Sequence, residues 1–211
     1  YVPSWAKWNF EGYEGKDAWP EYEDVVLTMG NSGARNGCGR AMWEYDRHLD
    51  RYGTPMALML LPMWTDRCIG SMEGLYFESS VTTPYHFLNQ SALSESPSRA
   101  QRDMPYTDFD IDLGVRQLQL MGVRYYMAIS DLATRSARAH PDLEEIAQSG
   151  PWTIFEVQGA PLVEPLEFEP IVRTDIHEAE HEWTPAIAPW FQDPDQWDLH
   201  WAASGPDHWQ R

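Results

Sequence analysis

The chain has 211 residues, 43% of them hydrophobic, which is enough to bury a sizeable core and argues against wholesale disorder. Its formal net charge is −18, from 15 Lys and Arg against 33 Asp and Glu, and the basic residues form no cluster. These numbers exclude the phosphate-neutralising surface of a nucleic-acid binder and the polybasic patch of a protein drawn to anionic lipid.

No stretch approaches the roughly 20 apolar residues that span a bilayer; the nearest, MALMLLPM at 56–63, is broken by Pro62. The chain opens on Tyr1, with no initiator Met and no signal peptide, as expected of one piece of a larger protein.

The first residues, YVPSWAKWNFEGYEGKDAW, are rich in aromatics and glycine without clean periodicity, and read as an extended lead-in. PEYEDVVLTMG follows, with Tyr22, Val25, Val26 and Met29 on one helical face, Pro20 in the first turn and Gly30 as a stop. After the loop GNSGARNGCG, RAMWEY predicts a short strand and PMALMLLP a buried one. The irregular stretch from Met63 to Tyr106 holds one short helix, PYHFLNQSAL, with Thr83 as cap and Pro84 in its first position. A connection of that length often marks a functional surface.

DFDIDLGVRQLQLMG predicts a helix carrying Ile111, Val115 and Leu118 on one face and ending at Gly122. VRYYMAIS is a strand by composition, DLATRSARAH a helix capped by Ser130 or Asp131, and PDLEEIAQSG another short helical turn. WTIFEV alternates as a strand, and LVEPLEFEPIV reads as a proline-broken edge strand. Five of the 11 tryptophans, Trp183, Trp190, Trp197, Trp201 and Trp209, fall in the last 40 residues. Pro185, Pro189 and Pro194 argue against a continuous helix there, so an extended arm pinned by its indole rings is expected. The fold class is therefore α/β or α+β: a mixed β-sheet flanked by helices, with a long irregular loop region and an extended Trp-rich C-terminal arm. Residues 1–170 form the body, and 171–211 an acidic Trp/Pro-rich extension packed on it.

HEAEH, with His177 and His181, matches the H-E-x-x-H pattern of zinc metallopeptidases, which needs a helix to bring both imidazoles onto one metal. Pro170 and Pro185 bound that stretch, it lacks an apolar face, and no third ligand stands out. A solvated acidic loop is the better reading, and no cofactor is assigned. In DFDID, Asp108, Asp110 and Asp112 could share a cation, but aspartates at a helix start more often cap it. The glycine-rich loop 30–39 precedes a strand and lacks a nucleotide-binding pattern. Cys38 and Cys68 each stand beside glycine in irregular flanks. A bridge between them would close a loop of about 30 residues worth roughly 3–4 kcal/mol; unbonded, they are two small core residues.

In and beside the stretch from Asp66 to Asn89, the polar residues Glu73, Glu78, Tyr85, His86, Asn89 and Gln90 are set among Met, Leu, Phe and Tyr. They can satisfy the backbone of a long loop, contact a ligand or, for Glu73 and Glu78, form an acid/base pair for glycoside hydrolysis. Aromatics interleaved with carboxylates and amides also suit a sugar-binding surface, where rings stack on pyranose faces.

On GTPMALMLLPMWTDRCIGSMEGLYFESSVTTPYHFLNQSALSESPS (53–98), DIDLGVRQLQLMGVRYYMAIS (110–130) and WTIFEV (152–157), the chain resembles the extracytoplasmic part of large actinobacterial multi-pass membrane proteins similar to GT-C-type glycosyltransferases. The resemblance implies a domain on the outer membrane face, attached to its own transmembrane region, in which a Cys38–Cys68 disulfide is at home. It also implies a non-catalytic role, binding or orienting a glycan or lipid-linked sugar in envelope polysaccharide assembly. Analogy at the level of fold is a weak warrant for function. The alternatives are a secreted glycan-active enzyme using a carboxylate pair and, more remotely, a zinc metallopeptidase.

Overall fold

The computed structural model describes residues 2–72, 82–176 and 180–211, with the side chains of 180–182 left aside. Its centre is a five-stranded mixed sheet in the order β2-β1-β3-β5-β4. The strands are β1 (Gly39–Trp43), β2 (Ile69–Gly70), β3 (Val123–Ala128), β4 (Leu143–Ser149) and β5 (Trp152–Val157). β1 runs parallel to both β2 and β3, while β5 lies antiparallel between β3 and β4.

Alternation along the strands makes two cores. Ala41, Trp43, Tyr125, Met127, Trp152 and Ile154 face helix α2 (Trp19–Asn36) and the turns that follow β1. Met42, Tyr126, Ala128, Phe155 and Val157 face the opposite layer, which includes α5 (Ile111–Leu120) and α6 (Asp131–Ala139). The expected α/β class is thus observed.

Helix α2 buries Tyr22, Val25, Val26 and Met29 as its spacing requires, but it passes Gly30 and ends at Gly37. Gly33 explains the extension: a Cβ there would meet Cys68 Sγ at 2.6 Å and Ile69 Cδ1 at 2.9 Å, so the helix packs closely only because this residue is glycine. Cys38 and Cys68 are disulfide-bonded, with Cα atoms 4.6 Å apart, and tie the end of α2 to β2.

Four expectations are corrected. The N-terminal lead-in is a helix, α1 (Val2–Phe10), with no buried residue; Lys16 holds it by donating to the Trp8 carbonyl while lying over the Trp8 ring. PMALMLLP is a 3-10 turn, Ala57–Leu60, running into α3 (Leu61–Trp64). A wholly apolar run cannot distinguish a buried strand from a buried helix, and Pro62 sits in the first turn, where its missing N–H is harmless. LEEIAQS is β4, because hairpin pairing with β5 across the Gly150 turn (φ 53°) outweighs local helix preference. The C-terminal segment is not simply extended. It forms α7 (Glu180–Phe191) with Pro185 and Pro189 inside, and burial of Ala188, Trp190 and Phe191 offsets the lost helix hydrogen bonds.

Helix α4 (Thr83–Leu93) starts where expected, though its N-cap is Thr82 and Pro84 stands within the first turn. Asp110 caps α5 by accepting from the Leu113 N–H at 3.0 Å, and Ser130 caps α6 through Ala133 N–H at 3.1 Å. Asp108 and Asp112 point elsewhere, toward Arg99 at 3.5 Å and His140 at 3.4 Å. The edge strand expected at 162–172 shrinks to β6 (Ile171–Val172), paired in parallel with β7 (Trp201–Ala202).

The buried phenols make the fold sensitive to alkali. Burial pushes Tyr52 and Tyr85 up to about 12, with the Glu21 carboxyl on Tyr52 adding to the effect, and also raises Tyr22 and Tyr126. An unfolded tyrosine ionises near 10. Below that pH both states are protonated and the contribution is fully present; above it the unfolded chain releases protons first, so stability falls from pH 10 through 12. Thermal melts followed by circular dichroism are expected to show a falling midpoint over that range, with tyrosinate absorbance rising on unfolding.

Candidate ligand crevice

Two concavities fall on different ends of the parallel strands. At the carboxyl ends of β1 and β3 lies a small pocket of about 150 Å³ bordered by Trp43, Tyr45, Met59, His86 and Gln90. This is the topological switch point of the sheet, where ligands often bind in open α/β folds. Here, however, the buried Glu44 carboxyl is spent on the fold. It accepts the N–H groups of Ile129 and Ser130 at 2.8 Å and of Glu95 at 3.1 Å. His86 packs edge-on to Trp43, with centroids 5.8 Å apart, and Gln90 donates to the Trp43 carbonyl at 3.3 Å.

The larger concavity opens at the other end of the sheet, between α5, the exposed segment 161–168 and the C-terminal segment. Its polar half is a cleft of about 600 Å³ whose lining includes Arg40, Arg116, Gln119, Trp197, Asp198 and His200. A second, mainly apolar half of about 270 Å³ adjoins it through Leu120, Met121 and His200, with Tyr85, Trp190, Phe191 and Trp201 on its walls.

The walls are set by an aromatic knot. Trp190 Nε1 donates to the carbonyls of Gln196 at 3.0 Å and Leu199 at 3.1 Å, while Trp197 Nε1 donates back to the Trp190 carbonyl at 2.9 Å. These bonds fold the chain after α7 into a tight return, with the Trp190 ring centroid 6.4 Å from Trp197 and 6.3 Å from Trp201. Tyr85 meets Phe191 edge-on at 4.9 Å, and Gln117 donates to the Phe191 carbonyl at 3.2 Å, so α4 and α5 anchor the knot to the body. Trp190 is nearly buried and holds the knot together, whereas Trp197 and Trp201 remain half-exposed along the crevice. Arg116 lies over Trp197 at 5.6 Å and Arg173 over Trp201 at 4.3 Å.

The floor depends on Gly122. With φ at 59° it turns the chain from α5 into β3, and a Cβ there would come within 2.8 Å of the Pro161 carbonyl and 3.2 Å of the Arg40 guanidinium. Arg40, at the start of β1, donates through this gap to the Met121 carbonyl. Gln119 joins the floor to neighbouring turns, donating to Asp142 at 3.1 Å and to the Gln158 carbonyl at 2.9 Å.

The residues singled out from the sequence are not brought together. Tyr85 lines the apolar half of the crevice, and burial keeps its phenol protonated to about 12. His86, its chain neighbour, points to the pocket at the opposite end of the sheet. Asn89 is fully buried and bridges α4 to α5 by donating to the Gly114 carbonyl at 2.9 Å and to Gln117 Oε1 at 3.1 Å. Glu73, Glu78 and His177 lie outside the described residues, as does the side chain of His181. Among the described residues no group of three or more His, Cys, Asp and Glu could hold a metal ion.

Of the crevice lining, Arg40, Arg116 and Gln119 were not singled out from the sequence. The one signal available was an arginine opening an otherwise apolar strand in GRAMW. Searches against protein-family models, curated proteins and solved structures find no match to this chain.

Proposed function

We propose that this chain is a non-catalytic glycan-binding domain that uses the crevice between α5 and the C-terminal segment. The observation that carries the reading is the half-exposed pair Trp197 and Trp201 beside hydrogen-bonding Gln119, Asp198 and His200. Aromatic faces stack on the C–H faces of a pyranose, and the neighbouring amide, carboxyl and imidazole groups take its hydroxyls. The net charge of −18 and the lack of clustered basic residues disfavour nucleic acid as the partner.

The setting belongs to the same proposal. A disulfide persists in an oxidising compartment, which supports an extracytoplasmic position. Together with the sequence resemblance over 53–98, it favours a soluble domain held beside the transmembrane region of a multi-pass protein in envelope polysaccharide assembly. In that setting the domain would hold the growing glycan or a lipid-linked sugar in place. No helix among the described residues is long and apolar enough to cross a membrane, so any spanning helix would come from outside them.

Tryptophan fluorescence titrated with envelope oligosaccharides is expected to saturate. Trp197→Ala is expected to weaken binding roughly two- to tenfold, the worth of one stacked ring. Failure of every oligosaccharide to perturb the emission would remove the proposal.

A further inference from the structure

Arg40 is out of balance with its surroundings. Its guanidinium is half-buried, its Nε is shielded from solvent without an acceptor among the described residues, and the guanidinium's one hydrogen bond among them goes to the Met121 carbonyl. It has no carboxylate within ion-pair distance among the described residues, although the chain carries 33 acidic side chains. Burial without a counter-charge lowers its proton affinity, the direction expected of a desolvated cation. Arg116, across the same cleft, likewise has no carboxylate partner among the described residues and is held only against the Trp197 ring.

A buried charge left without a partner is costly, and the usual remedy is a neighbouring acid. Here the acids of the cleft, Glu164, Glu167 and Asp198, stand on exposed residues and form no ion pair with either arginine. Arg40 is therefore a half-buried cation at the floor of the cleft, while Arg116 and the acids stand on exposed residues around it.

We infer that the crevice selects glycans carrying an anionic group, with the anion on Arg40 and Arg116 and the sugar ring against Trp197. This rests on the glycan-binding reading above and names the class of glycan. An incoming carboxylate or phosphate supplies the counter-charge that the chain withholds from Arg40, through charge-assisted hydrogen bonds from the guanidinium. Glu164 and Asp198 accept hydroxyl hydrogens of the same ring, so the acids and the arginines serve different ends of one ligand. The apolar half of the crevice, walled by Tyr85, Ile187 and Trp201, takes whatever uncharged part the ligand extends beyond the ring.

The test is a calorimetric titration with three probes: an oligomer of glucuronic acid, the same oligomer as its methyl ester, and a hexose phosphate. The acidic oligomer is expected to bind about tenfold or more tightly than the ester, with the difference shrinking as salt is raised. Arg40→Gln should reduce that difference by weakening the acid more than the ester, and a matched far-ultraviolet spectrum and melting temperature would show the variant folded. Arg116→Gln, a change at an exposed position, should reduce the difference without disturbing the fold. Comparison of the hexose phosphate with the uronic oligomer shows whether the anion is phosphate or carboxylate. Equal binding of acid and ester would overturn the charge selection while leaving glycan binding intact. Absence of binding by all three probes would overturn both.

Discussion

Glu44→Ala is expected to lower the unfolding free energy by about 3–5 kcal/mol. Glu44 follows β1 directly and is almost completely buried. Its two carboxyl oxygens accept three backbone N–H groups, from Ile129, Ser130 and Glu95. Two of those donors belong to the turn from β3 into α6, and the third to the chain leaving α4. One side chain therefore closes the carboxyl ends of two parallel strands and fastens the segment that follows α4. Truncation leaves three donors without this acceptor and a void in its place, and each orphaned buried donor costs about 1–3 kcal/mol. Glu44→Gln keeps one acceptor oxygen but turns an amide toward the remaining donors, so an intermediate loss is expected. Urea unfolding measures both variants; a Glu44→Ala loss below about 1 kcal/mol would mean that these bonds do not hold the strand ends.

Removal of the Cys38–Cys68 bridge is expected to cost about 3–4 kcal/mol, from a sequence separation of 30 residues in the loop-entropy account. For a chain of this length, that lowers the melting temperature by roughly 6–15 °C. The paired variant Cys38→Ser with Cys68→Ser isolates the effect from stray thiol chemistry. The bridge lies beside Gly33, and β2 has only two residues with which to hold the sheet edge. Loss of the crosslink should therefore loosen β2 and the α2–β2 contact before the far side of the sheet. Hydrogen exchange compared at Ile69 and Ile154 would show that order; equal acceleration at both would indicate global rather than local loosening.

The parts of the fold that were legible share one property: local pattern and tertiary role agree. The aromatic and β-branched runs RAMW, VRYYMA and WTIFEV became strands buried on both faces. Asp110 and Ser130 cap their helices because short polar side chains before an apolar period do so wherever they occur. Legibility failed where distant contacts decide. LEEIAQS has a helical composition and is an edge strand only because β5 offers a partner. Pro185 and Pro189 weaken a helix that forms because Trp190 and Phe191 are buried against the body.

The crevice was legible in kind and not in place. That the C-terminal tryptophans pin the chain to the body follows from their number, but which rings remain half-exposed depends on the Trp190 bonds to Gln196 and Leu199. Tyr85 and His86 are adjacent in sequence yet serve opposite ends of the sheet, since successive residues of a helix point about 100° apart. Arg40 stood out only as an arginine opening an apolar strand, because nothing in a sequence marks an arginine as lacking its acid.

The proposed binding site for a glycan is the crevice beside Trp197 and Trp201. It is tested most directly by following the indole N–H resonances of the 11 tryptophans while an envelope oligosaccharide is added. Saturable shifts are expected for Trp197 and Trp201, a smaller one for Trp190 packed against them, and none for the buried Trp43 and Trp152. Shifts confined to the exposed Trp5 and Trp8 of α1, or no shift at saturating oligosaccharide, would contradict it.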